Sequence, residues 1–465
     1  MNHLILSVLA FVASVTVVSA ADPAGSQHWP QWRGPACNGT APHGSAPTTW
    51  SETEHVKWKF KIPGEGSATP IVWEDQVFIL TAIEAPQPDA AAAPPAEVPA
   101  APPAVAEPAP EGGRPRRGPG GGGGGGMRAE KPTAPVQFVI ISIDRKTGQQ
   151  LWQKTARQQV PHEGHHRDHG FASGSPVTDG EHVFAYFGSF GLYCYDMKGE
   201  LQWEKDFGDM QTRASFGEGS SPTLHGDTIV VNWDHEGADF IVALDKKTGK
   251  ERWRQPRDEP TTWSTPLIVE HGGKAQVIVC ATNKIRSYDL ATGAPVWECA
   301  GMTANVIPTP VSEAGRLYAI SGYRGAALLA IQLGRTGDLT GTDAIAWQLG
   351  KGTPYVPSPL LVGGRLYFYS GNNGVLSCLD ATTGKALVDA ERINDLMGGV
   401  YASPVSADGR IYLVGRDGKT VVIKQADKLE ILATNQLDDR FDASPAIVGQ
   451  NLFLRGHQSL YCLGE

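Results

Sequence analysis

A Ser/Thr-Pro pair followed by a short apolar run recurs eight times along the chain, so the fold must itself be a repeat. The prolines are Pro70, Pro176, Pro222, Pro266, Pro310, Pro359, Pro404 and Pro445, spaced by 106, 46, 44, 44, 49, 45 and 41 residues. A second signal follows the pair: an apolar residue, then Asp, Thr-Gly and Trp. Ser142–Trp152, Ala243–Trp253 and Tyr288–Trp297 carry it in full. Weaker copies run from Asp196 to Trp203 and through Asp380 with Thr383 and Gly384; the fifth copy is stretched before Trp347, and the seventh lacks Thr-Gly.

Each unit reads as four short strands. The Ser/Thr-Pro strand comes first, a polar-Gly turn leads to the second, the Asp-bearing strand is third, and the Thr-Gly turn leads to the Trp-bearing fourth. Gly and Pro together make up 89 of 465 residues, about 19% against an average of about 12%. That breaker content excludes helix bundles and α-solenoids. Four-stranded units of 40–45 residues that cannot bury both faces alone are blades of a β-propeller. The last unit ends at Tyr461–Glu465 without a fourth strand, whereas Val56–Ile62 has the fourth-strand pattern with Trp58 in it. The expectation is an all-β, eight-bladed β-propeller of four-stranded antiparallel blades, closed by Val56–Ile62 in the last blade, which removes two open sheet edges at once. A ring closed by one chain predicts a monomer.

These motifs resemble the PQQ-type, or quinoprotein-like, repeat family over essentially all of residues 56–465. The resemblance implies an eight-bladed ring, as in the quinoprotein alcohol dehydrogenases and the outer-membrane assembly scaffold BamB. The opening His28-Trp29-Pro30-Gln31-Trp32-Arg33-Gly34-Pro35 is similar to the start of exported propellers of planctomycete-type bacteria. The repeat specifies the fold and not the activity, because its Asp, Thr-Gly and Trp hold blades together.

Residues 1–20 read as a signal peptide: an apolar run from Leu4 to Val18, then small residues ending at Ala20. No Cys stands at the cut and no later segment is apolar enough to span a bilayer. The product is therefore expected to be exported, periplasmic or extracellular, and soluble rather than lipid-anchored. Residues 21–55 form an N-terminal extended segment. Residues 85–135, nearly all Ala, Pro and Gly without an aromatic, read as a disordered insertion between the second and third strands of blade 1. It is either a tolerated surface loop or a tether. The six cysteines lack any C-x-x-C and read as small buried hydrophobes. A formal charge of -9 and a pI near 5.8 leave no basic footprint for nucleic acid.

Strand parity places the 2–3 turns and the blade-to-blade connections on one face, and the 1–2 and Thr-Gly turns on the other. The unusual residues fall on the first face. His162, His165, His166 and His169 crowd the connection into blade 2, with Glu163 and Asp168 among them. His and carboxylate are divalent-metal donors, although this spacing fits no named metal motif. Glu218 and Asp234 are candidate ligands or acid/base groups at the pore mouth, and Trp263 is a candidate stacking platform for a planar cofactor. No G-x-S-x-G or P-loop is present.

The function expected is a non-catalytic binding or scaffold protein of the cell envelope, engaging an envelope protein or polymer through the loop-rich face. The alternatives are a PQQ-dependent dehydrogenase and a carbohydrate-binding propeller. No cofactor is firmly implied. The enzyme alternative brings PQQ with Ca²⁺ by resemblance, but the adjacent-Cys disulfide of those enzymes is missing and neither their Ca²⁺ ligands nor their catalytic Asp can be placed.

Overall fold

A computed structural model describes residues 27–85 and 129–465. The signal-peptide reading and most of the insertion lie outside the described residues.

Eight antiparallel sheets follow one another in chain order. Blade 1 runs from Ile71–Trp73 to Gln150–Gln159, blade 2 from Val177–Thr178 to Leu201–Lys205, and blade 3 from Thr223–His225 to Glu251–Pro256. Blade 4 runs from Leu267–His271 to Pro295–Cys299, blade 5 from Val311–Glu313 to Ile345–Leu349, blade 6 from Leu360–Val362 to Ala386–Arg392, and blade 7 from Val405–Ala407 to Ile431–Gln436. Blade 8 takes Ala446–Val448, Asn451–Arg455 and Ser459–Leu463 from one end of the chain and Val56–Lys61 from the other. The closing strand pairs antiparallel with Ser459–Leu463, with Trp58 opposite Cys462. The expected closure is therefore observed, and it removes the two edges that would otherwise template aggregation.

The middle strands are apolar on both faces because neighbouring blades cover them; Ile141, Val231, Leu413 and Leu454 are all buried. The repeat signature explains how blades grip each other. Trp58, Trp152, Trp203, Trp253 and Trp347 each donate an indole N–H to a carbonyl of the next blade's 3–4 turn, at 2.8–3.1 Å. The glycine of that turn lies flat on the indole. A Cβ on Gly148, Gly249 or Gly293 would sit 2.6–2.7 Å from the ring carbons of Trp58, Trp203 or Trp253. Within the turn, the Asp carboxylate accepts from the Thr amide and hydroxyl, as in Asp144 with Thr147 at 2.7 and 2.8 Å.

Trp297 departs from this pattern and donates to Gln276 within its own blade. The cause is the stretched fifth copy: Gly337–Asp338, from the 3–4 connection of blade 5, adds in parallel to the outer strand of blade 4. An outer edge is thereby covered.

The Ser/Thr-Pro pairs build the inner wall. The amide of Thr69 donates to the Ser175 hydroxyl, Ser175 to Ser221, Ser221 to Thr265, Thr265 to Thr309, Thr309 to Ser358, Ser358 to Ser403, and Ser403 to Ser444, all at 2.8–3.1 Å. From Ser175 to Ser444 the hydroxyls thus satisfy amides that have no ladder partner inside the channel.

The N-terminal segment crosses the ring as a strap on the 1–2-turn face. His28 lies against Trp73 at the blade 1 turn, and Trp29 bridges Val72. The Pro30 carbonyl accepts from Thr178 of blade 2. On the far side, Thr40–Ala41 pairs in parallel with Ser406 and Ala407 of blade 7 as a fifth, innermost strand. Between these anchors Arg33 is buried, donating to the Pro404 and Pro359 carbonyls at 2.7 Å each and to Asn38 at 3.0 Å.

Candidate functional site

The strap turns the central channel into a cup. Its cavity holds about 370 Å³, with Trp32 from the strap at the closed end and the opening on the face of connections and 2–3 turns. Aromatic side chains dominate the wall: Trp263 entering blade 4, Tyr323 in the 2–3 turn of blade 5, Tyr355 entering blade 6 and Tyr401 entering blade 7. Tyr323 and Tyr355 stack at 4.8 Å with 28° between planes. The Trp263 indole is fixed by its N–H to the Gly217 carbonyl at 2.8 Å. Below them the Ser/Thr ring contributes Thr69, Ser175, Ser221, Thr265, Ser403 and Ser444 to the lining.

The polar edge is a charge network assembled from distant chain segments. Asp168 accepts from Arg416 at 3.0 Å, Arg440 at 2.9 Å and the Tyr401 hydroxyl at 3.3 Å. Asp442 accepts from Arg416 and, at 2.9 Å, from His457. The Arg416 guanidinium lies 3.7 Å above the Tyr401 ring, a cation–π contact. The hydrogen bond to Asp442 holds His457 above the ordinary imidazole range. Each carboxylate of the mouth therefore has a guanidinium on it.

The four histidines of the connection into blade 2 take separate partners. His162 Nε2 meets the Met210 carbonyl at 2.7 Å, and His165 Nδ1 the His166 carbonyl at 3.0 Å. The amide of Asp168 donates to His166 Nδ1 at 3.2 Å. His169 is held between the Glu218 carbonyl at 2.8 Å and the Ser173 hydroxyl at 2.9 Å, and burial lowers it to about 4, so it is neutral. Among the described residues, the one group of three His, Cys, Asp or Glu residues with donor atoms close enough for a metal is Asp179, Glu181 and His182, on the opposite face. There Asp179 is already bonded to Lys246 at 2.9 Å. His166 and His169 line the cup; His162 and His165 do not.

Trp263 lies on the cup wall, but Glu218 and Asp234 lie behind it. Glu218 accepts from the Ser189 amide and hydroxyl in a recess beside Tyr186, and burial pushes its carboxyl up to about 8. Asp234 is fully buried against Arg257, with Asn232 at 3.0 Å and Thr262 at 2.8 Å completing its shell. Tyr323, Tyr355, Tyr401 and Asp442 carry no motif, and sequence reasoning missed them; strand parity does put all four on the loop-rich face. Trp32 was legible only as part of the opening segment.

The six cysteines are free, with Cys37 partly buried and the rest buried. Among the described residues no helix is long and apolar enough to cross a membrane.

Known structures share the ring. BamB from Moraxella catarrhalis superposes with a TM-score of 0.50 at 15% identity, covering 70% of this chain and 93% of that one. The quinohemoprotein alcohol dehydrogenase from Comamonas testosteroni gives 0.59 at 10% identity over 96% and 81%. A europium-containing methanol dehydrogenase gives 0.58 at 11% over 93% and 90%. At such identities the likeness is one of fold. Comparison with curated protein sequences finds no match. A family model described as outer membrane protein assembly factor BamB matches residues 137–387. That match spans more than half of the chain and lies within the eight PQQ-type blades, and on it the protein belongs to the BamB-like family of PQQ-repeat propellers.

Proposed function

We propose that the protein is an exported, non-catalytic binding propeller of the cell envelope that holds an envelope protein or polymer at the mouth of its cup. The observation that carries this reading is the commitment of the mouth's carboxylates: Asp168 and Asp442 are bound by Arg416, Arg440 and His457. A carboxylate held in this way is a poor general base, since its partners stabilise the charged, proton-free form. The loop-rich face is instead rich in aromatic and paired polar groups on a rigid ring, the composition of a recognition surface.

The residues present do not fit PQQ with a divalent cation. Trp263 and the tyrosines offer stacking surface, but the cup's acidic groups are taken by arginines rather than gathered round a metal. Glu218 and Asp234, the candidates for that role, face away from the cup. No redox step is derived.

Photo-crosslinking in the native envelope tests the reading. A crosslinker placed at Tyr323 or Arg440 is expected to give a discrete adduct, and one at Lys247 on the opposite face none. Equal labelling from both faces would overturn it. A PQQ-dependent rise in melting temperature with dye-linked alcohol oxidation, in the presence of Ca²⁺, would replace it with the enzyme reading.

A further inference from the structure

We infer that the cup is a binding site for the end of a neutral glycan, seated between Trp32 at its floor and Trp263, Tyr323 and Tyr355 on its wall. The inference goes beyond partner capture; it rests on the loop-rich face being a binding face and names the ligand class.

Three observations carry it. First, the cavity of about 370 Å³ lies in the range of small-molecule sites, about 300–1,000 Å³, and the strap's Trp32 lines it at the end opposite the loop-rich face. A ligand enters by its terminus, so a chain end fits and a mid-chain segment does not. Second, the lining carries no uncompensated charge. The Asp168 and Asp442 carboxylates are matched by Arg416 and Arg440. A charged ligand seated in the lining would lose its hydration without gaining an opposite charge there; Arg213 beside Tyr355 and Arg324 over Tyr323 lie outside it. Third, the lining combines flat aromatic surface with many hydroxyls. Ser175, Ser221, Thr265, Ser403 and Ser444 each accept a backbone N–H. Among the described residues their O–H groups remain as donors. A pyranose presents an apolar C–H face to an aromatic ring and a perimeter of hydroxyls that both give and accept, so it answers both halves of this wall. A planar aromatic ligand would satisfy the rings and leave the polar groups unpaired, at a cost.

Trp32 gives the strap a part in this site. Arg33 next to it is locked to Pro359 and Pro404 of blades 6 and 7, which fixes the stretch of chain that carries the floor indole. Trp32 is a ligand contact in this proposal and Arg33 is the residue that positions it.

Calorimetric titration of the full chain with neutral malto-, cello-, xylo- and chito-oligosaccharides tests the proposal, with oligogalacturonate and PQQ as charged and planar arms. One neutral series is expected to bind with one-to-one stoichiometry. Trp263→Ala and Tyr355→Ala are each expected to weaken it about 5- to 10-fold, as loss of one stacked ring predicts. Tyr355→Phe restores affinity, and Lys247→Ala on the opposite face leaves it unchanged. Trp32→Phe, which keeps a ring at the floor, is expected to retain binding. Absence of heat with every neutral oligosaccharide at about 10 mM, beyond any useful affinity, overturns the proposal, as does tighter binding of either other arm. A specific crosslink at Tyr323 alongside failed titrations would remove the glycan and keep the binding face.

Discussion

At the residue scale, the repeat motif was legible as a pattern and only partly as a mechanism. Asp, Thr-Gly and Trp were read as elements that hold blades together, and the indole-to-carbonyl bonds with the glycine lying on the ring supply the means. Gly293 has φ +74 and its ideal Cβ position lies 2.6 Å from Trp253. Gly293→Ala should therefore cost about 2–4 kcal/mol, from the left-handed backbone and the clash together, read as a lower denaturation midpoint. Glu218 supplies a prediction with a definite sign. Its folded carboxyl titrates near 8, above the unfolded value of about 4.3. The native state thus holds a proton that the unfolded chain has released across that window. The contribution is fully present below the unfolded value and is lost as pH rises toward the folded one, by up to about 1.4 kcal/mol per pH unit. Glu218→Gln should flatten the fall in melting temperature between pH 6 and 8; an unchanged slope would assign that fall to other groups. Nothing in the sequence distinguishes Glu218 from an exposed glutamate, because its shift comes from the recess formed by Tyr186, Ser189 and the connection around it.

At the element scale, the largest gain over the sequence is the strap. Its composition gave no period to read, and its hydrogen bonds reach far along the chain, that of Arg33 to Pro404 across 371 residues. Arg33 is buried without a carboxylate, and burial lowers it to about 9. It persists because three carbonyls accept from it. Arg33→Ala leaves those carbonyls unpaired, so residues 27–50 should detach. The expected result is proteolytic cleavage within the strap and a loss of about 3 kcal/mol, with the blades still folded by circular dichroism. A strap that stays protected in the variant would show that Trp29 and the Thr40–Ala41 strand suffice. The hydroxyl ring was equally hidden: the eight Ser/Thr-Pro pairs were visible as spacing, but the reason for a hydroxyl appears only when neighbouring inner strands are placed side by side.

At the scale of the whole molecule, closure by Val56–Lys61 ties the two ends of the chain into one blade, which makes the ring cooperative rather than a row of separable hairpins. The insertion behaves differently. Its flanks meet, with the Ala85 amide donating to the Pro135 carbonyl at 2.9 Å, directly beyond the paired Glu84 and Val136. Replacing residues 86–128 with a short Gly-Ser linker should shift the melting temperature by less than about 2 °C, since loop-closure entropy changes slowly with length. A larger loss would show that the insertion packs on the ring.

The number of blades, the strand order, the closing strand and the face that carries the loops all followed from the sequence. Each depends on periodicity, parity or a local turn, and these are properties of neighbouring residues. The cup did not follow. Its floor comes from the strap, its wall from the connections into blades 4, 6 and 7, and its charge network from Asp168, Arg416, Arg440 and Asp442, pairs separated by as many as 272 residues. Such contacts carry no spacing signal, because what brings them together is the closing of the ring. The same closing took Glu218 and Asp234 behind the wall and left Trp263 on it. Residue type alone could not decide that, since an acid and an indole on one loop face differ only in which way the packed blades allow them to turn.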